Sequence, residues 1–411
     1  MKGSAEFSEI RVVFAGGGTG GHVYPALAMY ESLVERLGPD RVNALFVGVA
    51  GGLEKRLLSG SRWDVTLQLL PGRGLRGASL ANKLQVPFDV ARSTTMGVRT
   101  IRDFRPDVVV GTGGYASVSM VVASILTATP RILQEQNSVP GLVNRRLARF
   151  ADLVLLSYEE SRSSIAGGVE TLVIGNPLRR TPAPDRIAGA KFFGLDPERP
   201  TVLVIGGSRG AHSLNTAAFA AAQSLLDETD TQFVVLTGER DFAEVASELD
   251  GGDRRLVVRP YVDEIHHAYS VADVALARAG ASSVFELAAF GVPTIFVPYP
   301  YAADNHQRLN VEPLRKLGAV VVIKDAELDG VRLSIEIRAL LEDESRRAKM
   351  SSAMKGWVRE DAADEAAGRI IGLVKKNALR RGEKRVGVQR LASGGKRTRR
   401  TETGICRERI A

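Results

Sequence analysis

At 411 residues, with 44% hydrophobic and 25% charged side chains, the chain is long enough for two ordinary domain cores and too apolar for wholesale disorder. Its formal charge of +8 sits at the far end: from Lys375 onward thirteen Lys or Arg stand against three Glu, so the preceding residues sum to about −2 and lack the surplus of a nucleic-acid binder. The single cysteine, Cys406, lies in that basic tail, which excludes a disulfide framework, a Cys-based zinc site and a catalytic thiol in the body and fits a reducing cytosol.

Met1 to Glu9 carries Glu6 and Glu9 and lacks the apolar core of a signal peptide. Strands are expected at Ile10 to Ala15, Ala44 to Gly48, Val65 to Leu69, Val108 to Gly111, Arg131 to Gln134, Leu153 to Ser157 and Thr171 to Ile174. Helical patterns alternate with them, beginning with Pro25 to Leu37, as parallel βαβ units require. The longest apolar stretch, Val118 to Ala128, is about half a bilayer span and contains Ser119, Ser124 and Thr127, so no crossing segment is expected. Between Asn176 and Pro200 the chain carries Pro177, Pro182, Pro184, Pro197 and Pro200, which interrupt helix and strand alike and mark 177–200 as a linker. A second series follows at Val202 to Gly206, Phe233 to Thr237, Leu256 to Pro260, Val274 to Ala277, Thr294 to Val297 and Ala319 to Ile323. The fold class expected is α/β: two doubly wound parallel sheets in tandem, whose carboxyl-end loops face a common cleft. From 375 to 411 the composition cannot offset its ordering entropy, and a disordered tail is expected.

The first strand runs into Gly16-Gly17-Gly18-Thr19-Gly20-Gly21-His22, which exposes backbone N–H groups at a helix start where an anion or sugar hydroxyl can approach without a Cβ in the way. Gly16, Gly18 and Gly21 satisfy the dinucleotide spacing G-x-G-x-x-G, but the second strand ends Leu45-Phe46-Val47-Gly48 without the acid that a ribose of NAD needs. His22 follows the loop and, as a neutral imidazole, could take a proton from an attacking alcohol. Gly207-Ser208-Arg209-Gly210-Ala211 repeats the device in the second half; Ser208 offers a hydroxyl and Arg209 a charge to a phosphate, or the segment is a tight turn with an N-cap. A further helix begins near Ser282, whose positive end suits a departing diphosphate. Glu286, one turn on, can accept from two ribose hydroxyls or close a capping box with Ser283, and spacing leaves both open. In Pro298 to Gln307, Asp304, Asn305 and Gln307 are candidate sugar contacts.

Taken together, these segments resemble the MurG family of UDP-N-acetylglucosamine transferases, which convert lipid I to lipid II. Seven ordered blocks carry the resemblance across residues 10–374: Gly17 to Ala28, Gly113 to Ser117, Glu135 to Gly141, Gly175 to Arg179, Gly207 to Ala211, Arg278 to Ser282 with Glu286, and Pro298 to Gln307. Val118-Ser119 stands where the family commonly has Gly-Pro, His212 and Phe285 where other residues are frequent, and the basic tail lies outside the shared pattern.

The resemblance implies a GT-B fold of two Rossmann-like lobes and an inverting glycosyltransferase of the family 28 type that needs neither metal nor cofactor. Its donor would be UDP-GlcNAc and its acceptor the MurNAc 4-hydroxyl of lipid I, in peptidoglycan synthesis at the cytoplasmic face of the bacterial inner membrane. The lobes implied are 10–176 for acceptor and membrane, and 201–345 for UDP-GlcNAc; helices in 346–374 would pack back on the first lobe. Thr19, Gly20, Gly21 and His22 would face the reacting sugars, with His22 and Glu286 the catalytic candidates. Asn137, Arg179, Ser208, Val262, Ala281, Ser282, His306 and Gln307 would bind the donor, with Val262 at the uracil and Glu286 at the ribose.

A lipid acceptor requires membrane contact. Gly72 to Arg105 combines basic Arg73, Arg76 and Lys83 with apolar Leu80 and Phe88, as suits an anionic bilayer surface, although an ordinary surface helix has the same composition. Partners from cell-wall synthesis fit this setting and nucleic acid does not. Glycolipid synthases and UDP-GlcNAc epimerases are the nearest rivals, and the blocks around Thr19 and Asn137 favour MurG.

Overall fold

The computed structural model describes residues 9–51, 54–58, 65–71, 80–165, 167–207, 211–243, 253–380 and 407–410. Arg73, Arg76 and Ser208 lie outside them, and Leu80 and Lys83 fall within a helix whose backbone alone is described there.

The first lobe is a sheet built from β1 (Ile10–Gly16), β2 (Val42–Val49), β3 (Val65–Leu70), β4 (Val108–Gly113), β5 (Arg131–Glu135), β6 (Leu153–Leu156) and β7 (Thr171–Val173). These run parallel in the order β3-β2-β1-β4-β5-β6-β7, with Val12 of β1 beside Ala44 of β2 and Val108 of β4. The second lobe holds β8 (Thr201–Ile205), β9 (Gln232–Leu236), β10 (Leu256–Arg259), β11 (Val274–Ala277), β12 (Thr294–Phe296) and β13 (Val320–Val322), parallel in the order β10-β9-β8-β11-β12-β13. Their near-continuous apolar runs follow from burial on both faces: Val12, Phe14 and Val110 pack one side of the first sheet and Val13, Val47 and Val109 the other. Both sheets reverse winding direction at their middle, between β1 and β4 and between β8 and β11, where a crevice opens beyond the strands' carboxyl ends.

Several local expectations are corrected. The first helix spans Gly20–Leu37 rather than starting at Pro25, since first-turn N–H groups need no intrahelical acceptor and glycine therefore does not bar a helix from starting. Thr19 is its N-cap, and His22 lies in the first turn. Within the expected linker, Arg186–Phe193 forms a helix between the prolines, capped by Asp185, whose carboxylate accepts from the Ala188 N–H at 2.9 Å. Phe193 and Leu195 are buried in the second-lobe core, so the chain joins that lobe before β8. Helix Glu344–Trp357 packs on Ala281–Phe290 of the second lobe, and the return comes later than 346: Ala362–Arg380 lays Ala366, Ala367, Ile370 and Val374 into the first-lobe core.

That last helix runs to Arg380, past the expected start of the tail at 375, and residues Arg407–Ile410 form β14, antiparallel to β3 at the edge of the first sheet. Val118 and Ser119 sit inside an unbroken helix, Gly114–Leu126, and Phe285 is buried against Tyr158 and Trp357. Among the described residues no helix is long and apolar enough to cross a membrane.

Candidate active site

One cleft between the lobes is lined by Thr19, Gly20, Gly21, His22, Asn137, Arg179, Val262, Ala281, Ser282, Glu286, His306 and Gln307. They come from loops at the carboxyl ends of strands in both sheets and from the helices those loops open, so chain order scatters what the two winding reversals gather.

On the first-lobe wall, the His22 imidazole packs on the Gly113-Gly114 backbone. A Cβ on Gly113 would stand 2.8 Å from His22 Cδ2 and 2.9 Å from Nε2, and Gly113 has φ +108°, so only glycine lets the ring lie there. His22 Nδ1 lies 3.0 Å from the Gly17 carbonyl oxygen and 3.5 Å from Thr19 Oγ1. The imidazole tautomer that carries its proton on Nδ1 donates to Gly17 and leaves Nε2 as an acceptor.

Asn137 is held by the buried Glu135 carboxylate, whose Oε1 accepts from the Asn137 backbone N–H at 3.0 Å and from Nδ2 at 3.2 Å. Glu135 Oε2 accepts from Asn144 Nδ2 at 2.8 Å. From the second lobe, buried Asn310 reaches across: its Nδ2 donates to Asn137 Oδ1 at 3.2 Å and its Oδ1 accepts from the Ser138 N–H at 2.9 Å.

On the opposite wall, helix Ala281–Phe290 points its N-terminus into the cleft, with Gly280 as N-cap and no side-chain capping bond. Ser282 Oγ is buried and unpartnered, a donor and acceptor held ready at a positive helix end. The position a Cβ on Gly21 would take is 3.7 Å from Ser282 Oγ, so the two glycine-lined helix starts meet across the cleft. With Gly280 as N-cap, Ser283 and Glu286 form no capping box, which settles that alternative. Glu286 instead accepts from the Tyr269 hydroxyl at 2.7 Å. Burial at the cleft wall pushes its carboxyl up to about 7, against the opposing pull of the Tyr269 hydrogen bond and the Arg179 charge. Loss of hydration raises Tyr269 as well.

Arg179 is less available than its sequence position implied. Its guanidinium grips Glu31 of the first helix with two hydrogen bonds, at 3.0 and 3.2 Å, although it still lines the cleft. Val262 is buried beside Tyr261, whose hydroxyl shares a hydrogen bond with Tyr24 of the first lobe. In the Pro298 to Gln307 loop, Gln307 Oε1 accepts from the Tyr299 N–H at 2.8 Å, His306 Nδ1 faces Ala303 O at 2.7 Å, and Asp304 pairs with Arg145 of the first lobe at 3.0 Å. Phe88 lies apart from the cleft lining, 78% exposed.

The sequence reading missed the supporting residues. Glu54, Tyr269, Asn310 and Asp325, which accepts from Arg278 at 2.6 Å, fix the loops from outside the recognised blocks. A lone buried acid such as Glu54 betrays itself only once its surroundings are known.

Two helix starts facing each other across a cleft, a histidine on one wall and a desolvated carboxyl on the other, define a nucleotide-sugar transferase site of the GT-B type. Residues 12–156 match the glycosyltransferase family 28 N-terminal domain and residues 201–366 its C-terminal domain. The chain is 41% identical over 371 residues to the UDP-N-acetylglucosamine--N-acetylmuramyl-(pentapeptide) pyrophosphoryl-undecaprenol N-acetylglucosamine transferase of Chlorobaculum tepidum, covering 89% of this chain and 100% of that one. It is 37% identical to the transferase of the same name from Geotalea uraniireducens, over 86% of this chain and 96% of that one. The chain belongs to the MurG family of glycosyltransferases. Solved structures agree on the fold: MurG of Acinetobacter baumannii superposes with a TM-score of 0.65 at 24% identity, over 88% of this chain and 99% of that one. A UDP co-structure of MnaA from S. aureus gives 0.65 at 17% identity, over 90% and 97%.

Proposed function

We infer that this protein transfers GlcNAc from UDP-GlcNAc to the MurNAc 4-hydroxyl of undecaprenyl-pyrophosphoryl-MurNAc-pentapeptide, lipid I, with inversion, giving lipid II for peptidoglycan synthesis and so for cell-wall growth, shape and division. The observation that carries this is the meeting of the helix start that bears His22 with the Ala281–Phe290 helix start across one cleft. The acceptor hydroxyl gives its proton to His22 Nε2 as its oxygen attacks the anomeric carbon. The bond from that carbon to UDP breaks on the opposite face, and its electron pair passes to the β-phosphate. N–H groups at the helix start, with Ser282 and Ser208, receive the developing charge. Holding both sugars in line contributes a further part of the rate, up to roughly 7 to 11 kcal/mol for ideal orientation.

In this reading Thr19, Gly20 and Gly21 border the reacting sugars. Asn137, His306 and Gln307 hold the GlcNAc, Arg179 the nucleotide, Val262 the uracil and Glu286 the ribose. The positive helix end and its N–H groups set a counter-charge beside the departing diphosphate, and this reading calls for no ion or cofactor. The enzyme works at the cytoplasmic face of the inner membrane as a peripheral protein, with Arg73, Arg76, Leu80, Lys83 and Phe88 meeting an anionic bilayer and with other cell-wall synthesis proteins as its neighbours. An unusually exposed phenylalanine on the Leu80–Phe104 helix supports that face.

The test is transfer of radiolabelled sugar to a lipid I analogue in EDTA, with UDP-glucose as competing donor. Robust transfer confined to UDP-GlcNAc is expected; hydrolysis, epimerisation or use of another acceptor would overturn the assignment while leaving the fold intact.

A further inference from the structure

One buried acid beside the glycine loop has no part in the reaction as described. Glu54 opens the short helix Glu54–Leu58 after β2 and is 1% exposed. Its Oε1 accepts from the Gly18 N–H at 2.9 Å and the Val49 N–H at 3.2 Å, while its Oε2 is buried without a partner. The side chain occupies room that two glycines leave for it: a Cβ on Gly17 would stand 1.9 Å from Glu54 Oε1, and one on Gly48 2.6 Å from Glu54 Cγ. A carboxyl with two donors and an orphan oxygen is a costly thing to bury for loop packing alone.

What it holds explains the placement. Gly18 N and Gly17 O belong to one peptide unit, so a single peptide plane donates to Glu54 at 2.9 Å and faces His22 Nδ1 with its oxygen at 3.0 Å. A peptide between two glycines resists rotation less than any other, and Gly18 already has φ +84°. If that plane turned over, its N–H would face Nδ1, and the imidazole would have to keep its proton on Nε2, the atom needed as acceptor.

We propose that Glu54 is a positioning residue for His22: its carboxylate pins the Gly17–Gly18 peptide so that the Gly17 carbonyl holds the proton on Nδ1 and leaves Nε2 free. Carboxylate, peptide and imidazole form a chain whose dipoles run in one sense, as in a carboxylate–imidazole pair with a peptide inserted between them. This rests on His22 acting as the base, and the experiment separates the two.

The full chain, labelled with 15N, is examined by long-range proton–nitrogen correlation at pH 8 as wild type, Glu54→Gln and Glu54→Ala, with His22→Ala assigning the signal. Wild type and Glu54→Gln, which keeps an acceptor for Gly18, show His22 protonated on Nδ1, and Glu54→Ala moves the proton to Nε2. Turnover falls in Glu54→Ala by about 10- to 100-fold, the usual range for loss of an outer partner, with KM for UDP-GlcNAc within about twofold, and Glu54→Gln recovers most of it. An Nδ1 proton retained in folded Glu54→Ala overturns the proposal, as does an Nε2 proton in Glu54→Gln, a result that stands even if the alanine variant fails to fold. Should His22→Ala transfer sugar normally while Glu54→Ala still switches the tautomer, the base role fails and the positioning role survives.

Discussion

Lowering the pH from 8 to 6 weakens UDP-GlcNAc binding about tenfold, through Glu286. Burial pushes this carboxyl up to about 7, and its Oε2 already accepts from Tyr269 at 2.7 Å. Two ribose hydroxyls need acceptors, so the ionised form is the one that binds. That form rises from roughly one-tenth of the population at pH 6 to roughly nine-tenths at pH 8, a factor of about ten or about 1.4 kcal/mol. Calorimetric titration with UDP-GlcNAc, whose diphosphate has no terminal group titrating in this window, reads the affinity; paired buffers of different ionisation enthalpy count the roughly 0.9 proton released at pH 6. Stability without ligand runs the other way. A folded carboxyl held above its unfolded value stabilises the protein fully below the unfolded value, and the contribution is lost as pH rises through about 7. Glu286→Gln therefore raises the melting temperature at pH 8 and changes it little near pH 4. An affinity flat between pH 6 and 8, or an equal slope in Glu286→Gln, would refute the ribose assignment.

His22→Ala lowers turnover by about 10²- to 10⁴-fold with UDP binding largely retained, measured by transfer kinetics and calorimetry; unchanged turnover removes His22 from the base role. Gly113→Ala places a methyl 2.8 Å from the His22 ring at φ +108°, so turnover drops while circular dichroism and UDP affinity stay near wild type. Arg179→Met strands Glu31, whose side chain is 9% exposed, and costs about 3 kcal/mol in urea unfolding; adding Glu31→Leu recovers most of it, and simple additivity of the two changes would contradict a coupled pair. Reversing charge at Arg73, Arg76 and Lys83, or Phe88→Ser, reduces sedimentation with anionic liposomes and leaves transfer to a water-soluble acceptor intact; binding indifferent to both changes places the membrane face elsewhere.

Strand positions were legible through residues 10–323 because parallel strands buried on both faces must be short apolar runs between turn residues, whatever their neighbours. Each of the thirteen expected strands in 10–323 is present within a few residues of its forecast ends. β14 was not legible, since an edge strand such as Arg407–Ile410 pairs through backbone groups and needs no apolar pattern. Glycine misled at the first helix, because a residue poor in a helix interior is well suited to a helix start whose N–H groups must reach outward.

At the site, what could be read along the chain were the features carried within continuous blocks: the glycine loop ending in His22, the helix start at Ser282, and the acid one turn beyond it. Those features are local, set by φ, by the absence of a Cβ and by helix geometry, so spacing reveals them. Tertiary structure alone decided how the blocks are used. Ser283 could have capped its helix with Glu286, and only the Gly280 cap and the neighbouring Tyr269 turn that carboxyl toward the cleft and desolvate it. Arg179 could have reached a phosphate unencumbered, but Glu31, 148 positions away in sequence, takes both arms of its guanidinium. Glu54 carries no motif at all, and its role exists only because two glycines, one on β2 and one in the first loop, leave a carboxylate-sized gap beside the peptide that faces His22. Burial and through-space hydrogen bonding depend on contacts between distant segments, which no spacing along a single chain encodes.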